Sequence, residues 1–246
     1  MDRTSISCSS ADRGVLRVSS HSFARSFSLE TNVSFFVEDK GGSFEATPTG
    51  VHLARCYRII DMGTQTTEYM GEPKIQRKVM LGWEVFVTGD DGKLQRMKDG
   101  RLFAMFKKYT LSWSEKANLR NDLQAWRGKP FSTEEMRRFD LKNVLGAWCM
   151  LNVIERPGKD GRNYVNIDGI TPVPGVVKQN GMPKGENELE LFNLSEPDMK
   201  IFNTFSQSLK DKIMASPEWK AYEDNENHGA EVNHAAASHD DEDIPF

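Results

Sequence analysis

Arg77-Lys78-Val79-Met80-Leu81-Gly82-Trp83-Glu84-Val85-Phe86-Val87-Thr88 is the stretch that decides the fold. Val79, Leu81, Trp83, Val85 and Val87 recur at every second position, which places them on one face of an extended chain. Branched and aromatic side chains dominate, as a half-buried strand requires. Gly89-Asp90-Asp91-Gly92 closes it as a turn. Upstream, a polar loop with Gly63, Gly71 and Pro73 separates it from a strand over about Val51–Asp61. Before that come the turns Thr47-Pro48-Thr49-Gly50 and Lys40-Gly41-Gly42 and a β-prone piece, Val33–Val37, so the folded body is expected to begin near Asn32. Downstream, a third strand covers about Arg101–Leu111.

Two helical segments follow. Ser114 is placed to cap a helix over about Glu115–Trp126, with Ala117, Leu119, Leu123 and Trp126 as its apolar set. Ser132-Thr133-Glu134-Glu135 has capping-box spacing, with Ser at N-cap and Glu at N3. Strands over about Ala147–Arg156 and Tyr164–Pro172 then flank a hairpin loop, Pro157-Gly158-Lys159-Asp160-Gly161. Residues 173–190 read as a linker, Ser195-Glu196-Pro197 starts a helix to about Ala215, and Ser216-Pro217-Glu218 starts a last turn carrying Trp219 and Tyr222. Five strands with helices between the third and fourth match the order of an OB-fold, a small Greek-key barrel. The expected class is therefore mainly β with inserted helices (α+β): a five-stranded OB-fold-like barrel, a C-terminal helix and a disordered acidic tail. The domain reading is an arm over 1–30, a barrel over 31–175, a linker and helical segment over 176–222, and a tail over 223–246.

The charge is unevenly placed. The 246 residues carry a net −4, yet eight acids and no Lys or Arg follow Tyr222. Residues 1–222 thus hold 32 basic and 28 acidic side chains, a net of +4. A mildly basic body on an acidic tail permits a nucleic-acid partner. Cys8, Cys56 and Cys149 are too few and too scattered for a disulfide framework or a cysteine zinc site, which fits a reducing cytoplasm. No run of about 18 apolar residues marks a membrane span. Residues 1–30 hold nine Ser and four Arg without the apolar stretch of a secretory signal, and Asp2 and Asp12 count against a transit peptide. They read as a disordered arm, or as an extension upstream of the true start.

The chain closes with Asp240-Asp241-Glu242-Asp243-Ile244-Pro245-Phe246. Ile244 and Phe246 suit an apolar pocket on a partner, an Arg or backbone N–H groups there would hold the terminal carboxylate, and the four acids steer the tip toward a basic rim. Being polyanionic, the segment also suits weak cover of the protein's own DNA site. This ending resembles the acidic tip of bacterial single-stranded DNA-binding proteins, through which they recruit replication and repair enzymes. The body resembles phage-encoded single-stranded DNA-binding or replication-associated proteins. The matching stretches are Pro48–Gly63, Lys78–Val85, Tyr109–Arg127 and Phe139–Gly146. The resemblance covers about Val33 to Tyr222, and residues 1–30 depart from it. It implies a bacterial host cytoplasm, partners from replication or recombination, and no cofactor.

Binding a single strand without sequence preference needs cations for phosphates and aromatic faces for bases. Lys107, Lys108, Tyr109, Trp113, Lys116, Arg120, Trp126, Arg127 and Lys129 bring both together, with Arg137 and Arg138 nearby. A second cluster, Arg156, Lys159, Arg162 and Tyr164, lies around the hairpin between the fourth and fifth strands, and Arg77 and Lys78 flank the other loop that OB-folds use. Trp83, Phe103 and Trp148 read as core, while Trp126 is open between core and stacking. No GxxxxGK[ST], GxGxxG, HExxH or GxSxG occurs. His21 and His52 are isolated, and His228, His234 and His239 are irregularly spaced, so neither an enzyme nor a metal site is expected. A strand-annealing or recombination-mediator protein would share these features. A replisome or virion adaptor would lack a connected basic–aromatic stripe. The oligomeric state stays open, since the helix near Pro197–Ala215 has a choice between the barrel and a second subunit, in a homo-oligomer.

Overall fold

A computed structural model describes residues 45–69, 71–158 and 160–225. The arm over 1–30, the piece Val33–Val37, Lys159 and the segment Asp240–Phe246 lie outside these. The elements are β1 (Gly50–Tyr69), β2 (Glu72–Thr88), β3 (Leu94–Gln95), β4 (Phe103–Thr110), α1 (Asn118–Arg127), α2 (Thr133–Arg138), a 3-10 turn (Leu141–Val144), β5 (Trp148–Pro157), β6 (Asn163–Thr171), α3 (Gly175–Gln179), β7 (Glu190–Phe192), α4 (Met199–Asn203) and α5 (Gln207–Met214). A last helical stretch covers 217–225. Among the described residues no helix is long and apolar enough to cross a membrane.

The chain is mainly β, with short helices around one open seven-stranded sheet. Its backbone path is β4-β2-β1-β5-β6, paired antiparallel throughout, with β3 extending the end of β2 and β7 adding a parallel edge to β1. No ladder joins β4 to β6 among the described residues, so the pairing does not show a closed five-stranded barrel.

The alternation read on β2 holds. Val79, Leu81, Trp83, Val85 and Val87 are all buried, in a core completed by Phe103, Met105, Leu119, Leu123 and Trp126. The opposite face of the same strands is also covered. Ile60, Met62 and Met80 pack under Phe192, Leu194, Phe202, Phe205, Ile213 and Trp219. β1 and β2 are therefore covered on both faces, so the even positions of β2 are buried as well: Met80 under this cluster, Gly82 under Phe106, Glu84 under the loop at 186–187 and Phe86 against Trp148. Glu84 is fully buried, and its carboxylate is satisfied by Arg55 (2.5 Å), the N–H groups of Glu186 and Asn187 (3.1 and 2.9 Å) and Asn187 Nδ2 (2.8 Å). This ties the loop after α3 back to the sheet.

Three local expectations are corrected. The stretch around Gly63 and Pro73 is not a loop but a long hairpin arm, in which Thr64 pairs with Arg77 and Glu68 with Pro73. α1 starts at Asn118, not Glu115. Ser114 closes a turn through its carbonyl (Ala117 N–H, 2.9 Å) and leaves Ala117 as an N-cap without a side-chain bond. The helix expected from Ser195 to Ala215 is two helices. Asp198 caps α4 by accepting from the N–H groups of Lys200 and Ile201, and the break at Thr204–Ser206 lets Phe202 and Phe205 both turn onto Phe192. The capping box at Ser132 and Glu135 forms as read.

Candidate nucleic-acid interface

A cleft of about 810 Å³ opens where the arm, the end of β4, the loop before α1 and α5 meet. Lys74, Lys78, Lys108, Lys116 and Lys212 line it, with Gln65, Thr66, Thr67, Gln76, Thr110, Ser112, Ser114 and Asn118 between them. No Asp or Glu is among the described residues lining it.

The arm's root explains why α5 stands there. The ladder slips between Asp61 and Gly63, and Gly63 adopts φ +69° with its N–H on Asp61 Oδ1 (3.0 Å). A Cβ on Gly63 would lie 2.6 Å from the Ser216 side chain, so only glycine admits the C-terminal layer this closely. Thr64 then donates its N–H and its hydroxyl to Glu218 (2.8 and 2.6 Å), and Gln65 Nε2 donates to the Lys212 carbonyl (2.8 Å). Lys212 is thereby fixed beside Lys108 of β4.

The lysines crowd one another. Burial, and then the positive charge of Lys212, hold Lys108 below the ordinary lysine value. Burial, and then the charge of Lys74, do the same to Lys78, whose Nζ donates to Gln76 Oε1 (2.8 Å) and Thr110 Oγ1 (2.7 Å). An anion in the cleft would relieve this repulsion and raise both values. Anion binding therefore takes up protons at alkaline pH, and affinity should fall as pH rises toward 10.5, the ordinary lysine value. For the free protein the sign is opposite. A lysine depressed by folding binds fewer protons folded than unfolded, so stability should rise over the same window. Titrations of affinity and of melting temperature between pH 8 and 10.5 check both, and parallel trends would contradict the crowded cleft.

A second cleft, of about 400 Å³, shares Lys108 and Lys212 with the first and adds Arg58, Ile60, Met80, Phe106, Phe205 and Leu209. Phe106 lies over Gly82, where a Cβ would come within 2.5 Å of its ring, and meets Tyr57 edge-on at 6.3 Å. It is 43% exposed. The two clefts form one path, lysine-lined at the arm and aromatic over the sheet.

Of the residues expected from sequence, Lys78, Lys108 and Lys116 meet in this path. Tyr109 lines the cleft wall but is corrected as a stacking face: its ring is buried, and its hydroxyl donates to Asp122 (2.8 Å). Lys107 points the same inward way, paired with Asp122 (2.8 Å) and reaching the Ile167 carbonyl of β6 (3.3 Å). Trp126 is core, donating Nε1–H to the Trp148 carbonyl (2.9 Å) and packing on Trp83. Trp113 is half-buried against Phe131 and Phe139, and Arg120 donates to its carbonyl (3.1 Å). Arg77 is paired with Asp61 (2.6 Å), and Arg127 with Glu135 (2.6 Å). Lys129 and Arg162 are exposed elsewhere.

The β5–β6 hairpin does not join the path. Gly50 pairs with Val153, so its tip projects past the start of β1, whereas the cleft lies at the arm end. There Arg156 is paired with Asp168, and the Tyr164 hydroxyl donates to Asp160 (2.5 Å). Sequence reading missed Phe106, Lys74 and Lys212. Alternation along β4 pointed to Phe106 beside Lys108. Lys74 was hidden by reading the arm as loop, and nothing local marked Lys212.

Among known proteins, no family model matches the chain, no curated protein matches it, and no solved structure does.

Proposed function

We propose that this chain binds single-stranded DNA along the path from the lysine cleft to Phe106. The observation that carries the reading is the convergence of five lysines, with no Asp or Glu among the described residues that line the cleft, beside an exposed aromatic ring on the sheet. Ammonium groups spaced along a cleft suit successive phosphates, and a flat ring beside them suits an unpaired base. A duplex keeps its bases stacked inside and offers Phe106 nothing. The path order β4-β2-β1-β5-β6, with α1 between β4 and β5, supports an OB-fold-like barrel, and Lys107 reaching Ile167 spans the edge that no ladder closes. In this reading the protein coats strands during replication or recombination in a bacterial cytoplasm. It performs no bond chemistry, and its acidic segment recruits partner enzymes.

Fluorescence anisotropy of labelled single- and double-stranded oligonucleotides, at low and physiological salt, tests it. Single strands should bind tightly and without sequence preference, with a log–log salt slope of about −0.7 per phosphate contacted. Phe106→Ala should weaken binding by roughly 5- to 150-fold, the worth of one base stack of about 1–3 kcal/mol. Equal affinity for duplex would overturn the reading, and so would indifference to Phe106.

A further inference from the structure

We infer that the cleft between α1, α2 and α3 is a docking site for this chain's own segment Asp240–Phe246. This cleft measures about 720 Å³ and shares no lining residue with the lysine path. Its floor is apolar, built from Trp126, Phe131, Trp148 and Val173. Its volume lies in the range of sites that bury a small ligand or a few side chains.

The rim is positive in balance. Arg127 and Glu135 are paired at 2.6 Å and neutralise each other, while Glu134 stands 3.6 Å from Arg137. Arg138 and Lys178 line the cleft and hold no carboxylate among the described residues. An apolar floor under two uncompensated cations selects an occupant with apolar side chains and acids next to them in sequence. Asp240-Asp241-Glu242-Asp243 followed by Ile244-Pro245-Phe246 has that make-up: the rings and branched chain suit the floor, and the acids suit Arg138 and Lys178.

Reach is sufficient. The described residues end at Asn225, 21 residues before Phe246. At about 3.3 Å per residue they span up to about 70 Å. A body of this size is about 40 Å across. The segment therefore reaches the cleft of its own copy or of a neighbour. Because the clefts are separate, docking here and strand binding coexist.

The test is anisotropy of a dye-labelled, end-blocked peptide, Asp240–Phe246, titrated with the full chain carrying Phe246→Ala, which reduces competition from its own segment. Saturable binding is expected, weakened at least 10-fold by Arg138→Glu or Lys178→Glu in the protein and by Phe246→Ala in the peptide. Both protein positions are exposed on short helices, so two variants guard against one misfolding. Lys108→Glu and a saturating single-stranded oligonucleotide should leave peptide binding unchanged. Three results would overturn the inference: no saturable binding, indifference to both rim variants, or displacement by the oligonucleotide, which would assign the segment to the lysine path. Failure of the DNA reading would leave the peptide titration and its rim variants intact, because those arms are read without DNA.

Discussion

Reversing two charges together, Lys108→Glu with Lys212→Glu, is expected to lower the proposed affinity for single-stranded DNA at least 100-fold at physiological salt. The two ammonium groups stand side by side where both clefts meet, so a strand following the proposed path passes along both of them. A hydrogen bond to a charged group contributes about 1.5–3 kcal/mol. Losing two such contacts costs about 3 kcal/mol or more, which is the 100-fold, and the new carboxylates add repulsion. The salt slope should also flatten, by about 1.4 for two lost phosphate contacts. The fold should hold, because Lys108 and Lys212 are both exposed and neither pairs with a carboxylate among the described residues. The anisotropy titration and a melting curve on the same sample settle it. A double variant that binds like the parent sinks the proposed path, and one that binds weakly because it no longer melts cooperatively calls for the single variants instead.

How much of this was legible in the sequence depends on which face of β2 is considered. The odd positions from Val79 to Val87 alternate cleanly, and they fill the first core as read. The even positions carried a second message, since Met80, Gly82 and Phe86 make the run nearly continuous in apolar residues. A strand with that pattern is buried on both faces. That signal announces cover on the second face, supplied over Met80 by the C-terminal part that was read as linker and helix, over Gly82 by Phe106 and over Phe86 by Trp148. On β4 the same period of two separates Lys107 and Tyr109, which turn inward to Asp122, from Phe106 and Lys108, which face outward. Clustering of cations along the chain could not make that distinction. Lys212 was beyond local reading altogether. Its place depends on Gly63 admitting Ser216 and on Thr64 gripping Glu218, contacts between residues about 150 positions apart.

Those contacts make the second core a support of the proposed binding site, and Trp219→Ala is expected to expose the dependence. Trp219 is buried, stacked on Phe202 at 4.5 Å and central to the layer that holds α5. Its indole N–H has no hydrogen-bond partner among the described residues, so truncation leaves no polar group stranded and the cost is one of packing. Removing a buried Trp costs about 3–5 kcal/mol. For a body of this size that lowers the melting temperature by roughly 6–20 °C. The loss falls on the C-terminal layer first, because the core around Trp83 and Trp126 has no Trp219 contact to lose. Amides of α5 should then exchange with solvent faster than those of β2 and β5, and Lys212 should leave the cleft. Single-strand affinity should fall as far as it does in Lys212→Ala alone, with the Lys78 and Lys116 side of the cleft still contributing. Hydrogen exchange and anisotropy on the same variant make the link testable. If α5 exchanges freely while affinity stays at the parent value, Lys212 contributes nothing to the site and the layer serves only to cover the sheet. If both change together, the C-terminal layer is a working wall of the DNA path, and its packing energy is what places the fifth lysine there.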